Sequence, residues 1–303
     1  MIRRPQLRAS GSPRWRRVTY ATAVVLFVGT AWAGFASLPA HRGPIEPLFF
    51  IVVAGVLAPA TTVANAAEYA GTARFVGVRV RPVDALRVAV MSTAANILPV
   101  PGAALVRAAA LREAGTGSIP AARSVLAAST LWVAATGAIL GILVLVSAER
   151  LALGALLIVG AAVLVAGAHR MAGAQHRPDG VATTARLLAV EGAATALGAA
   201  RLWCCARGLG FEVGAGDAVA LASASVLAAV IGFAPAGLGV REALAGAIAP
   251  LVGVPAAVGA SVSVVDRVLG SAGVALAATA FAIGERRRSV PPPDAPPPGR
   301  ETT

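Results

Sequence analysis

The sequence predicts an all-α integral membrane protein with about six full transmembrane helices and two re-entrant hairpins, or eight crossings if both hairpins open, arranged as an inverted repeat. Three observations predict it. Of 303 residues, 57% are hydrophobic and 13% charged, with a mean hydropathy of +0.77, a balance belonging to chains that fold in lipid. Apolar runs long enough to cross about 30 Å of hydrocarbon recur along the chain. Two shorter apolar stretches are broken by Pro and Gly and followed within a turn or two by an Arg.

In order, the chain opens with a basic tail, residues 1–17, carrying six arginines, followed by an apolar run over 18–40. A signal peptide is the competing reading of that run, with Ala33-Gly-Phe-Ala-Ser37 as a weak cleavage site. Its apolar part exceeds a usual h-region, so a retained first span is expected. A short turn over 41–47 leads to a second span over 48–67. The loop 68–87 carries Arg74, Arg79, Arg81 and Arg87, whereas the preceding turn carries only Arg42. This asymmetry places the N-terminus and the long loop in the cytoplasm.

The stretch 88–100 is too short to cross comfortably. It meets Pro99-Val-Pro-Gly102, and a helical pattern then runs to about Glu113. A re-entrant hairpin from the cytoplasmic side fits this pattern. A third span (124–147), an external Glu149-Arg150 turn, a fourth span (151–168), an internal loop with Arg170 and Arg177, and a fifth span (181–206) follow. Residues 217–232 and 240–253 read as a second hairpin entering from outside, and 255–284 as the sixth span. That count returns Arg286-Arg287-Arg288 to the cytoplasm. Residues 285–303 form a Pro-rich tail whose composition cannot bury a core and is expected to be disordered.

The net charge of +12 comes from 26 basic residues, every one an Arg. They lie in tails and between apolar segments with few interleaved aromatics, which favours membrane topology over nucleic-acid binding. Cys204 and Cys205 are adjacent in an apolar segment and read as packing residues. His41, His169 and His176 fall in expected loops without metal-ligand spacing, so no metal is assigned. No G-x-x-x-x-G-K-[ST] appears, and Gly237-Leu-Gly239 lies in a membrane segment with no preceding strand, so no nucleotide cofactor is assigned.

Shifting the chain by 133 or 134 positions exposes an internal repeat, with halves at 18–147 and 148–284. Gly77-x-x-Val-x-x-x-Asp-Ala aligns with Gly210-x-x-Val-x-x-x-Asp-Ala, Pro101 with Pro235, and Arg107 with Arg241. Three crossings per half invert the second half relative to the first, as in many secondary transporters. Pro101-Gly102 and Gly237-Leu-Gly239 would each start a half-helix whose unpaired N–H groups and positive dipole end attract phosphate. Arg107 and Arg241 follow those breaks, where planar guanidinium groups suit a phosphodiester. Intramembrane charges default to a functional hypothesis. The alternative is that they pair with one another, Glu242 with Arg241 or Arg267 and Arg241 with Glu242 or Asp266, and only lock the fold.

Other charges carry smaller expectations. Asp84 and Asp217 precede apolar runs and read as N-caps. Glu68 and Arg201 occupy repeat-equivalent positions with opposite signs and form a candidate pair. Glu191 has no partner visible in the sequence and is a candidate proton-coupling carboxylate.

Asn96-x-x-Pro99-x-Pro101-Gly102 followed by Arg107, and Pro235-x-Gly237-x-Gly239-Val-Arg241-Glu242 followed by Arg267, resemble the membrane region of lysylphosphatidylglycerol synthases and related flippase-like proteins. The resemblance spans roughly 18–284. It implies a multi-pass protein of the bacterial plasma membrane that moves a phospholipid or lipid-linked precursor between leaflets, those residues contacting the phosphate head group. It also implies a partner enzyme in lipid biosynthesis; a membrane-embedded enzyme or accessory subunit is the alternative. Two departures stand out. The family's carboxylate before the first-hairpin Arg is replaced by Ala103-Ala104-Leu105, and its Glu-Arg pair in the following span by Ser129-Thr130-Leu131. About 20 residues follow the last span, so a soluble aminoacyl-transfer domain, and with it lysyl-lipid synthesis, is not expected.

Overall fold

The computed structural model of the protein describes residues 25, 28–29, 31–39, 43–95, 102–146, 151–231 and 239–289, with side chains to 280. The basic N-tail, about half of the first expected span, Asn96, Pro99, Pro101, Pro235, Gly237 and the tail beyond Ser289 lie outside the described residues, while residues 285–289, expected in the Pro-rich tail, are helical. Among the described residues, nine α-helices follow residue 46, the first of them containing a π turn. Helix α1 runs from Pro47 to Phe75, α2 Pro82–Ala95, α3 Gly102–Glu113, α4 Ser118–Val146, α5 Leu151–Met171, α6 Gly180–Gly208, α7 Ala215–Ile231, α8 Val240–Ile248 and α9 Ala256–Ser289. Among the described residues five helices, α1, α4, α5, α6 and α9, are long and apolar enough to cross a membrane. The protein is an all-helical, multi-pass membrane protein.

The remaining four helices form the two hairpins: α2 packs on α3, and α7 on α8. At 1.5 Å per residue, α7, the longest of them, reaches about 25 Å and α8 only about 13 Å. Both fall short of a 30 Å core, which favours re-entrant arms over crossings. Each helix junction has a local cause. Pro59 removes the N–H that would close the preceding turn of α1, and the chain there widens into a π turn at Val53–Leu57. Helices α4 and α5 approach closely because Gly141 and Gly154 face each other, so a Cβ on either would sit about 3 Å from the other's carbonyl oxygen. Such packing by small residues holds helices together where lipid tails offer no hydrophobic incentive.

Three expected boundaries shift. Helix α1 continues past Glu68 to Phe75, so Glu68 is a buried helical residue, not the start of a loop. Helix α5 continues through His169 and Arg170, and the Arg170 charge suits its C-terminus. Asp84 and Asp217 sit inside the first turns of α2 and α7, not at N-caps. Asp217 Oδ2 accepts from Gly214 N at 3.1 Å, and Asp84 pairs with Arg87 at 3.7 Å across one turn.

The halves correspond in detail. Helices α1 and α6 are both 29 residues long and 133 positions apart. Both end in the same glycine-terminated motif. Gly77 N donates to Arg74 O and Val78 N to Ala73 O, while Gly210 N donates to Arg207 O and Phe211 N to Ala206 O. Gly77 and Gly210 have φ of 78° and 81°, the left-handed conformation that this termination requires. In one half α1 packs on α2 and α3 on α4; in the other, α6 packs on α7 and α8 on α9.

The equivalent helices α1 and α6 also pack antiparallel. Glu46 N donates to Gly208 O, a Cβ on Gly208 would strike Phe50, one on Gly71 would strike Leu187, and Gly77 lies beside the Arg177 guanidinium. As numbers rise along α1, they fall along α6. Antiparallel packing of equivalent helices is the relation an inverted repeat requires.

Candidate functional site

Two charge clusters lie inside the helical bundle, one at each hairpin. The second is built on α8, which starts at Gly239 with φ of 77°. Glu242 reaches back so that its Oε2 accepts from Gly239 N at 2.8 Å, satisfying one of the donors that a helix start leaves open. Its Oε1 accepts from Arg267 Nε at 2.6 Å, and Glu242 is fully buried. One position earlier, Arg241 donates through Nη2 to Asp266 Oδ2. Asp266 also receives Arg201 of α6, whose Nε donates to Oδ1 at 2.8 Å and whose Nη2 donates to the Asp266 carbonyl at 3.1 Å. Two guanidinium groups therefore converge on one carboxylate.

Gly270, one turn beyond Asp266, makes this arrangement possible, since a Cβ there would lie 2.1 Å from Arg201 Nη2. The carboxylates are the deeper partners. The side chains of Asp266 and Glu242 are 3% and 0% exposed, whereas those of Arg201, Arg241 and Arg267 keep 13–17%.

The first cluster is built on α3. Arg107 donates through Nη1 to Glu68 Oε1 of α1. Glu191 of α6 lies within electrostatic reach of both. Arg107 Nε and Glu191 Oε1 are buried without a hydrogen-bond partner.

Arg107, Arg241, Glu242 and Arg267 are thus brought into ion-paired clusters, and Gly102 and Gly239 stand at the helix starts beneath them. Arg107 pairs across the bundle with a residue the sequence assigned to a loop. The expected Glu68–Arg201 pair does not form; each partners the other end of its own cluster. The reason is visible in the repeat. Where the first half has Glu at position 68, it meets the hairpin Arg directly. Where the second has Arg201, two arginines face each other, and Asp266 bridges them. Trp132 and Val133, the positions one repeat before Asp266, are apolar. Gly270 is the site residue the sequence did not point to, and the partners of Glu68 and Arg201 are not those it suggested. The sign swap between 68 and 201 was the available signal.

Among the described residues, no group of three His, Cys, Asp or Glu is placed to hold a metal. Cys204 and Cys205 are free thiols buried in the apolar packing around α6, with Leu202, Phe211 and Val258. Comparison of the chain with protein-family models, curated proteins and solved structures found no match.

Proposed function

We propose that the protein moves an anionic phospholipid or lipid-linked precursor between the leaflets of a bacterial plasma membrane, its hairpin guanidinium groups taking the phosphate. The observation that carries this reading is the Arg201–Asp266–Arg241 arrangement. One carboxylate serves two guanidinium groups, and the arginine side chains are the more accessible partners, at 13% and 17% against 3% for Asp266. A phosphate meeting them finds an unbalanced positive charge in a planar form suited to bidentate contact. Helix α8 begins at this point, adding the positive end of its dipole. The motif resemblance and the antiparallel, repeat-related α1 and α6 agree with a transporter of the inverted-repeat kind. In this reading both termini are cytoplasmic, and a lipid-biosynthetic enzyme supplies or receives the lipid.

A purely structural lock is the second reading, favoured by the fact that each hairpin arginine already holds a carboxylate. Arg241→Lys separates the two. Lys can keep the single bond to Asp266 Oδ2 but presents no planar fork to phosphate. In proteoliposomes carrying a fluorescent anionic phospholipid, Arg241→Lys is expected to slow translocation at least tenfold with an unchanged melting temperature. Full translocation in that variant would sink the phosphate role.

A further inference from the structure

We infer that Glu68 and Glu191 form a proton-binding site: one proton, held on Glu191, balances the pair while Arg107 is seated on Glu68. The placement follows from the antiparallel packing of α1 and α6. A Cβ on Gly71 would touch Leu187, so one turn back along α1, to Glu68, and one turn on along α6, to Glu191, reaches the same level. Glu191 is 2% exposed, and its Oε1 has no partner.

The charges facing Glu191 can be named helix by helix. Helix α1 contributes Glu68 and α3 contributes Arg107. Helix α4 contributes Thr136, whose hydroxyl bonds Thr195 at 3.1 Å one turn along α6. His169 of α5 bonds Thr184 Oγ1, about two turns away. The nearest charges toward α7, α8 and α9 are those of the Arg201–Asp266–Arg241 cluster, ten residues or about 15 Å further along α6. Two carboxylates therefore share one guanidinium. A second ionised carboxylate without a partner is a cost that an apolar interior does not tolerate. A proton satisfies the site with one oxygen, whereas a metal cation needs several and would face the Arg107 guanidinium.

The step is a simple protonation. A proton from the aqueous phase forms an O–H bond at Glu191 and returns to water when that bond breaks, with no change of redox state. When the proton leaves, Glu191 competes with Glu68 for Arg107, whose buried Nε has no partner. Arg107 then bridges both carboxylates and draws α3 toward α6. The site's coupling to lipid movement rests on the function proposed above; its proton does not.

Infrared spectroscopy of the purified protein at neutral pH tests the proton directly. The wild type is expected to show a carboxylic-acid C=O band sensitive to deuterium exchange. The band should vanish in Glu191→Gln and persist in Glu212→Gln, a surface control. It should vanish in Glu68→Gln as well, because Arg107 then pairs with an ionised Glu191. Absence of the band in the wild type, or its survival in Glu191→Gln or Glu68→Gln, would overturn the site. In proteoliposomes, a pH gradient should change the rate of lipid movement by the wild type and leave Glu191→Gln unaffected; a response retained in Glu191→Gln overturns the coupling. Failure of the wild type to move lipid at all, with the band results as expected, overturns the flippase reading and leaves the proton site standing.

Discussion

A guanidinium group inside a bilayer is held there by its partners, and each arginine of the two clusters has a different set. Glu242 does two jobs at once, closing the start of α8 and neutralising Arg267. Glu242→Ala therefore removes a cap worth about 1 kcal/mol and strands a mostly buried cation, at about 3 to 5 kcal/mol. Detergent-solubilised Glu242→Ala should lose about that much in reversible unfolding, and a loss below 1 kcal/mol would refute the double role. Gly270 tests the neighbouring pair. Gly270→Ala puts a methyl group into the space of the Arg201 guanidinium and should cost about 2 kcal/mol as charged hydrogen bonds are lost. Gly192→Ala on α6, with nothing within 4 Å of the new Cβ, should be neutral or stabilising by up to about 1 kcal/mol. The motif arginines were legible in the sequence because helix breakers flank them. Asp266 was legible as one of two carboxylates that could hold Arg241, but not as the bridge to Arg201, because that depends on which faces of α6, α8 and α9 meet, a property of packing.

At the scale of elements, the helices were legible from their hydropathy, while their ends were misread wherever a charge stood inside one. Glu68 looked like the exit from the membrane only because its partner, Arg107, lies 39 positions away on another helix. The glycine-terminated ends of α1 and α6 were legible as a repeated motif, and they are not equally tolerant. A Cβ on Gly77 meets Arg177 Nη1 at 3.0 Å, the end of a long side chain that can move, but one on Gly210 meets the Gly43 carbonyl oxygen at 2.2 Å. Both substitutions force an L-residue into positive φ, at about 1 kcal/mol. Gly210→Ala should therefore lower the melting temperature clearly more than Gly77→Ala, and an equal effect would show that the Gly43 contact does not constrain this end of the bundle.

For the whole molecule, the antiparallel register of α1 and α6 fixes where the clusters lie. That register puts Thr62 and Thr195 at one level, and from there Glu68 and Arg201 lie each about 9 Å away in opposite directions. A layer about 30 Å thick thus encloses both clusters, one in each half. The charge rule predicts which half faces the cytoplasm: Arg74, Arg79, Arg81, Arg170 and Arg177 gather at the end where Gly77 meets Arg177, and the other end holds Arg207 paired with Glu212. Labelling can read this out, but not at Gly180, where a side chain would collide with the Ala174 carbonyl oxygen at 1.9 Å. Asp179 and Glu212 are exposed and stand just beyond the two ends of α6. With the buried Cys204 and Cys205 replaced by Ala, an impermeant maleimide added to intact cells should label Glu212→Cys and spare Asp179→Cys. Labelling of both would show that α6 does not cross. The reverse pattern would invert the molecule, placing the Glu68–Arg107–Glu191 cluster in the outer half and exposing the proposed proton site to the opposite aqueous phase.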